Sequence, residues 1–161
     1  MKRSRINTIL ASAHAEMPVK VFGWVKSKRV SKTATFIIIN DGSQQNDLQL
    51  VAPAEMFSES ALADVTTGAA LIVDGIIQDS PGSGQKWEVQ IKSFTLTGKA
   101  PVDNYPLQKK GHSLEFLREI GHLRVRTNTF SAMFRVRNAL AMHVHQFFQD
   151  RGFAWVHTPI L

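Results

Sequence analysis

From residue 19 to residue 26, Val19, Val21, Gly23 and Val25 alternate with Lys20, Phe22, Trp24 and Lys26, which predicts a strand with one face inward. A second run, Thr35 to Asn40, stops at Asp41-Gly42-Ser43, and a third, Asp47 to Ala52, follows a polar connection, so the two are expected to pair as a hairpin. Pro53 suits the start of a helix, and Phe57, Ala61 and Val65 recur at intervals of four, predicting a short helix over 55–65. Two more strands, 69–78 and 87–96, flank the turn Pro81-Gly82-Ser83-Gly84.

Five strands with a helix between the third and fourth follow the chain order of an OB-fold, a small Greek-key barrel that often binds oligonucleotides on its second and third strands. Gly23 fits the bend of a long first strand shared between two sheets. Gly98 to Lys110, with Pro101 and Pro106, shows no periodicity and is expected to be a linker. Phe130, Met133, Phe134, Leu140, Ala141, Val144, Phe147 and Phe148 then recur at spacings of three and four, with Arg137 interrupting. They predict an amphipathic helix over 128–151, about 36 Å long at 1.5 Å per residue. Gly152 is its expected stop, and Phe153-Ala154-Trp155-Val156 is an expected strand reaching Pro159. The expected fold class is mainly β: a barrel over 1–99, a linker or hinge over 100–127, and the start of an incomplete α+β domain over 128–161. So apolar a helix and strand need a partner that the remaining residues do not supply.

Charge sharpens this picture. The net +6 is distributed unevenly: residues 1–32 carry +7, residues 33–100 carry −5 and residues 101–161 carry +4. A basic face toward a polyanion, most simply a phosphate backbone, is one reading, and a solvated charged surface is the other. A mean hydropathy of −0.10 with 43% hydrophobic residues excludes global disorder. No apolar run reaches the roughly 18 residues of a membrane span, and no cysteine offers a thiol, a disulfide or a zinc-thiolate site. A cytoplasmic protein without membrane contact is expected.

If Ile37, Ile39, Leu48 and Leu50 face the barrel core, alternation puts Phe36 and Gln49 on the outer face of adjacent strands. The ring can stack on an unpaired base while the amide offers a donor and an acceptor to a base edge. Lys26, Lys28 and Arg29 would neutralise phosphates beside them. The competing reading is that Phe36 covers apolar surface and the basic groups are merely solvated. His143 and His145 lie two apart on a predicted helix and cannot share one ion, so no metal site is expected. Gly82-Ser83-Gly84 lacks the ending of a phosphate-cradling loop and is expected to be a hairpin tip. No nucleophile and base occur at a credible spacing, so no catalytic residue is assigned.

Gly23-Trp24-Val25, the run Lys26 to Arg29, Phe36 and Gln49 together resemble the N-terminal anticodon-binding OB domain of the class II synthetases for aspartate, asparagine and lysine. Tyr105 to Arg118, then His122-Leu123-Arg124 and Arg126-Thr127-Asn128, is similar specifically to the bacterial asparaginyl-tRNA synthetases; aspartyl relatives typically carry Asp where His122 stands. The resemblance implies that Phe36 stacks on the central anticodon uridine, Gln49 hydrogen-bonds its edge and Arg29 contacts the same base or its phosphate. It puts Glu88 and the 81–86 tip where the family reads the third anticodon base. The long helix and the strand ending at Thr158-Pro159 resemble class II motif 1, a dimer interface, which gives Phe134, Arg137 and Pro159 roles at a subunit contact. Motifs 2 and 3 would lie beyond Leu161. The implied parent joins asparagine to its tRNA with ATP and magnesium, as a homodimer, and this segment is expected to bind tRNA without cofactor or catalysis of its own. A stand-alone single-strand-binding OB module and an aspartyl-tRNA synthetase fragment are the alternatives.

Overall fold

A computed structural model describes residues 4–160, so Lys2 and Arg3 of the basic start lie outside the described residues. The chain divides into two compact units, Met1–Ser113 and Leu114–Leu161. The first holds β1 (Pro18–Val30), β2 (Ala34–Asn40), β3 (Leu48–Pro53), β4 (Ala70–Asp79) and β5 (Trp87–Gly98), preceded by α1 (Ile6–Ser12). The strands close into a barrel in the order β1-β2-β3-β5-β4. All neighbours are antiparallel except β3 and β5, and that single parallel pairing closes the ring.

The alternation read from the sequence is the alternation built. Val19, Val21, Val25, Ile37, Ile39, Leu48, Leu50, Leu71, Val73, Ile77, Val89 and Ile91 fill the interior, none more than 2% exposed. Gly23 sits where β1 runs against the end of β2: a Cβ there would lie 2.8 Å from the Asn40 carbonyl oxygen, closer than any side chain tolerates. The expected bend therefore has a concrete cause in backbone approach.

In the first unit three elements depart from expectation. The 55–65 segment is a chain of turns, not a helix. Its bonds run from Ala63 N–H to the Ser60 carbonyl and from Val65 N–H to the Leu62 carbonyl, and the Ser58 hydroxyl accepts from Ala61 N–H. Its buried residues are Leu62 and Val65, whereas Ala61 of the expected stripe is exposed. An inward set of Phe57, Leu62 and Val65 does not follow a helical period. Next, α1 forms at the N-terminus and buries Ile6 and Ile9 in the barrel core, where no element was expected. Residues 100–113, expected to begin the linker, belong to the first unit: Ala100 and Leu107 are buried, and the Thr66 hydroxyl donates to the Ala100 carbonyl.

The second unit holds α2 (Leu114–Glu119), a 3-10 turn (Arg124–Arg126) and α3 (Asn128–Gln149). The Thr127 hydroxyl caps α3 by accepting from Phe130 N–H, and the Arg124 guanidinium lies 4.8 Å from the Phe130 ring centroid and 5.8 Å from that of Phe134. Gly152 takes a left-handed φ of 81° beyond the helix end, as a stop residue should, and Phe153 N–H donates back to the Phe148 carbonyl. Phe153 to Val156 is not a strand. A strand needs a ladder partner, and here Phe153 instead packs on the Phe148 ring at 5.4 Å and Trp155 on the His145 ring at 5.2 Å. Among the described residues no helix is long and apolar enough to cross a membrane.

Candidate nucleic-acid interface

The outer faces of β1, β2, β3 and β5 carry two cross-strand rows. Arg29 faces Phe36, Phe36 faces Val51 and Val51 faces Gln90; one step along, Ser27 faces Ile38, Ile38 faces Gln49 and Gln49 faces Glu88. Phe36 and Gln49 are thus diagonal neighbours on one surface, both half-buried, with Ile37 and Leu50 between them turned into the core. Diagonal pairs lie roughly 7–8 Å apart, a span a planar base can bridge. Alternation alone was enough to bring these two side chains together.

Arg29 reaches the same surface by a less visible route. Strict alternation from Val25 inward would put Lys26 and Lys28 outward and Arg29 inward. The ladder with β2 slips between Val25 and Ser27, so β1 carries one extra residue there, a β-bulge. Beyond the bulge Ser27 and Arg29 face outward, and the Arg29 guanidinium lies 4.9 Å from the centroid of Phe36. A planar cation on an aromatic face keeps the ring oriented and leaves guanidinium donors for an anion.

The two lysines go elsewhere. Lys28 faces Ile37, on the inner side, and its ammonium donates to the Leu62 carbonyl at 2.8 Å, fastening the turn segment over the barrel end. Lys26 pairs with Asp47 at 3.0 Å, and Lys20 with Asp74 at 3.2 Å. Of the three cations expected near Phe36, Arg29 alone lies on its ring, and Lys26 and Lys28 are engaged by Asp47 and the Leu62 carbonyl. The basic 1–32 stretch and the acidic 33–100 stretch, separate along the chain, are partly neutralised against each other in space.

Glu88, 8% exposed, accepts a hydrogen bond from Gln49 Nε2 at 2.9 Å and another from the Ser80 hydroxyl at 3.0 Å. Ser80 is held at the base of the β4–β5 hairpin, where its N–H donates to the Lys86 carbonyl at 2.9 Å. The hairpin tip, 81–84, is exposed, and Lys86 lies over the Trp87 ring at 4.8 Å. The sequence reading missed Ser80 and its link to Gln49, because nothing in a local pattern shows a contact spanning three strands. It also passed over Gln90, which the alternation of β5 could have placed on this face and which accepts from Gln78 Nε2.

The remaining candidates lie outside this surface. Phe134 is half-buried against Arg124 and Phe130, and Arg137 and Pro159 are exposed in the second unit. His143 Nδ1 lies 2.7 Å from the Ala139 carbonyl and His145 packs on Trp155. Among the described residues no three His, Cys, Asp or Glu side chains gather as a metal site.

Comparison with known proteins bears on the family and the fold. The tRNA anticodon family model, described as an OB-fold nucleic acid binding domain, matches residues 19–97. The asparagine–tRNA ligase of Parabacteroides distasonis is 48% identical over 161 residues, all of this chain and 34% of that protein. That of Solibacter usitatus is 50% identical over 158 residues, 98% of this chain and 34% of that protein. The chain thus spans about a third of the length of the curated relatives it matches. Among solved structures, the asparaginyl-tRNA synthetase of Pyrococcus horikoshii superposes with a TM-score of 0.82 at 21% identity, covering 99% of this chain and 38% of that one, a likeness of fold. Residues 19–97 thus match the family of OB-fold nucleic acid binding domains, and the chain as a whole is similar to about a third of the length of these asparagine–tRNA ligases.

Proposed function

We propose that the barrel reads the anticodon of asparagine tRNA, on behalf of a ligase that joins asparagine to that tRNA at the expense of ATP. The observation that carries this reading is the outward Arg29–Phe36–Gln49 surface, reached through two strand alternations and one bulge. Phe36 offers a stacking face to a splayed base, Gln49 a hydrogen-bonding amide to its edge, and Arg29 a cation to the same base or its phosphate. Of the other expected contacts, Lys26 and Lys28 serve the fold first, through Asp47 and the Leu62 carbonyl. ATP and magnesium belong to the chemistry of the parent enzyme, and no residue of this chain is assigned to them.

In the second unit, we propose that α3, with Phe134, Arg137 and Pro159, contributes to a homodimer contact. Leu140, Val144 and Phe147 stand exposed along it.

Binding of anticodon stem–loop RNAs tests the decoding role. Phe36→Ala should weaken binding by about 1 to 3 kcal/mol, the cost of losing one stacked base. Replacing the central uridine alone should weaken wild-type binding comparably. A protein that binds every loop equally would instead be a general single-strand binder.

A further inference from the structure

We propose that Glu88 is a positioning residue for Gln49, and that it decides which class of base edge the site accepts; this rests on the anticodon-reading role of the barrel. A carboxylate can only accept hydrogen bonds, so it draws the Nε2 side of the amide to itself, as the 2.9 Å contact records. Glu88 lies on the β5 side of Gln49 and Phe36 on the β2 side. The planar amide therefore turns Oε1 away from β5. That oxygen accepts no hydrogen bond from any described residue, so the amide keeps Oε1 and its second Nε2–H for a base, in an order that Glu88 fixes. Glu88 is itself held in place: it is 8% exposed, and the oxygen that accepts from Gln49, Oε2, also accepts from the Ser80 hydroxyl.

Oε1 held in front, with the remaining N–H held to one side of it, discriminates by chemistry. Uracil offers an imino N–H at N3 and guanine one at N1, whereas cytosine N3 and adenine N1 are themselves acceptors and would face Oε1 lone pair to lone pair. Hydrogen-bond polarity separates both from cytosine and adenine. Glu88, rather than Gln49 by itself, supplies that polarity, because a glutamine without a fixed neighbour can turn either end to the base.

Glu88→Gln keeps the shape and removes the constraint, since a second amide can donate to Oε1 or accept from Nε2. The full chain should be titrated with four stem–loop RNAs differing only in the central anticodon base, and again with loops differing only in the third. Wild type should prefer central U over central C by about tenfold or more, the scale of one good base-edge contact. In Glu88→Gln the ratio should fall to within about threefold, mainly through tighter binding of the central-C loop, which loss of fold cannot produce. Ser80→Ala, which frees one side of Glu88, should give an intermediate ratio. An unchanged U-to-C ratio in Glu88→Gln, or a uniform loss across all four loops, would overturn the proposal. So would a change confined to the third-position series, which would mean that Glu88 reads that base itself. A wild type indifferent to the central base would be a different failure, removing the decoding role on which the inference stands.

Discussion

Three consecutive-looking cations, Lys26, Lys28 and Arg29, do three different jobs. Lys26 closes an ion pair with Asp47, Lys28 supports a backbone carbonyl from the inner side, and Arg29 alone lies on the Phe36 ring. Residue type did not distinguish them; the phase of the strand did. Arg29→Ala should therefore lower RNA affinity and reduce the slope of log K against log salt by about 0.7, the value for one phosphate contact on a single strand. Lys28→Ala should leave that slope unchanged while lowering unfolding stability by roughly 1 to 2 kcal/mol through the abandoned Leu62 carbonyl. Equal salt slopes for wild type and Arg29→Ala would take Arg29 off the phosphate and leave it to the ring or the base.

Elements set by side-chain period were legible in the sequence, and elements set by distant contacts were not. The strands of the barrel follow directly from alternation, and with them the outward placement of Phe36 and Gln49, because burying one face of a strand dictates the other. The bulge at Lys26 leaves no mark in a pattern of apolar residues, since it is defined by what β2 offers opposite. The turns of 54–65 show an i, i+4 coincidence overruled by where the barrel end needed Leu62. Phe153 to Val156 has strand composition but no neighbour to form a ladder with, and folds back on α3 through its rings. The same exposed apolar stripe on α3 carries a prediction: sedimentation should show concentration-dependent self-association of the chain, and Val144→Glu should shift it toward monomer without changing RNA affinity. A chain that stays monomeric at all concentrations would remove α3 from any such contact.

For the molecule as a whole, the matched family span and the physical folding unit are not the same object. The family match begins at residue 19, yet Ile6 and Ile9, 0% and 1% exposed, belong to the barrel core. They are held there from outside the helix as well: Ile6 N–H donates to the Asp41 carboxylate and Asn7 N–H to the Ser43 hydroxyl, both in the β2–β3 connection. Burying each isoleucine is worth about 1.5 to 3 kcal/mol, so a chain started at residue 13 should lose on the order of 3 to 6 kcal/mol in denaturant unfolding. An unchanged midpoint would show that α1 is dispensable to the barrel.

That short helix is a cork in the sense that its two isoleucines complete the barrel's interior. Anyone trimming the gene to the borders a domain search suggests would pull the cork, and a solubility defect seen afterwards would be the scalpel's doing, with no bearing on whether the natural barrel is sound.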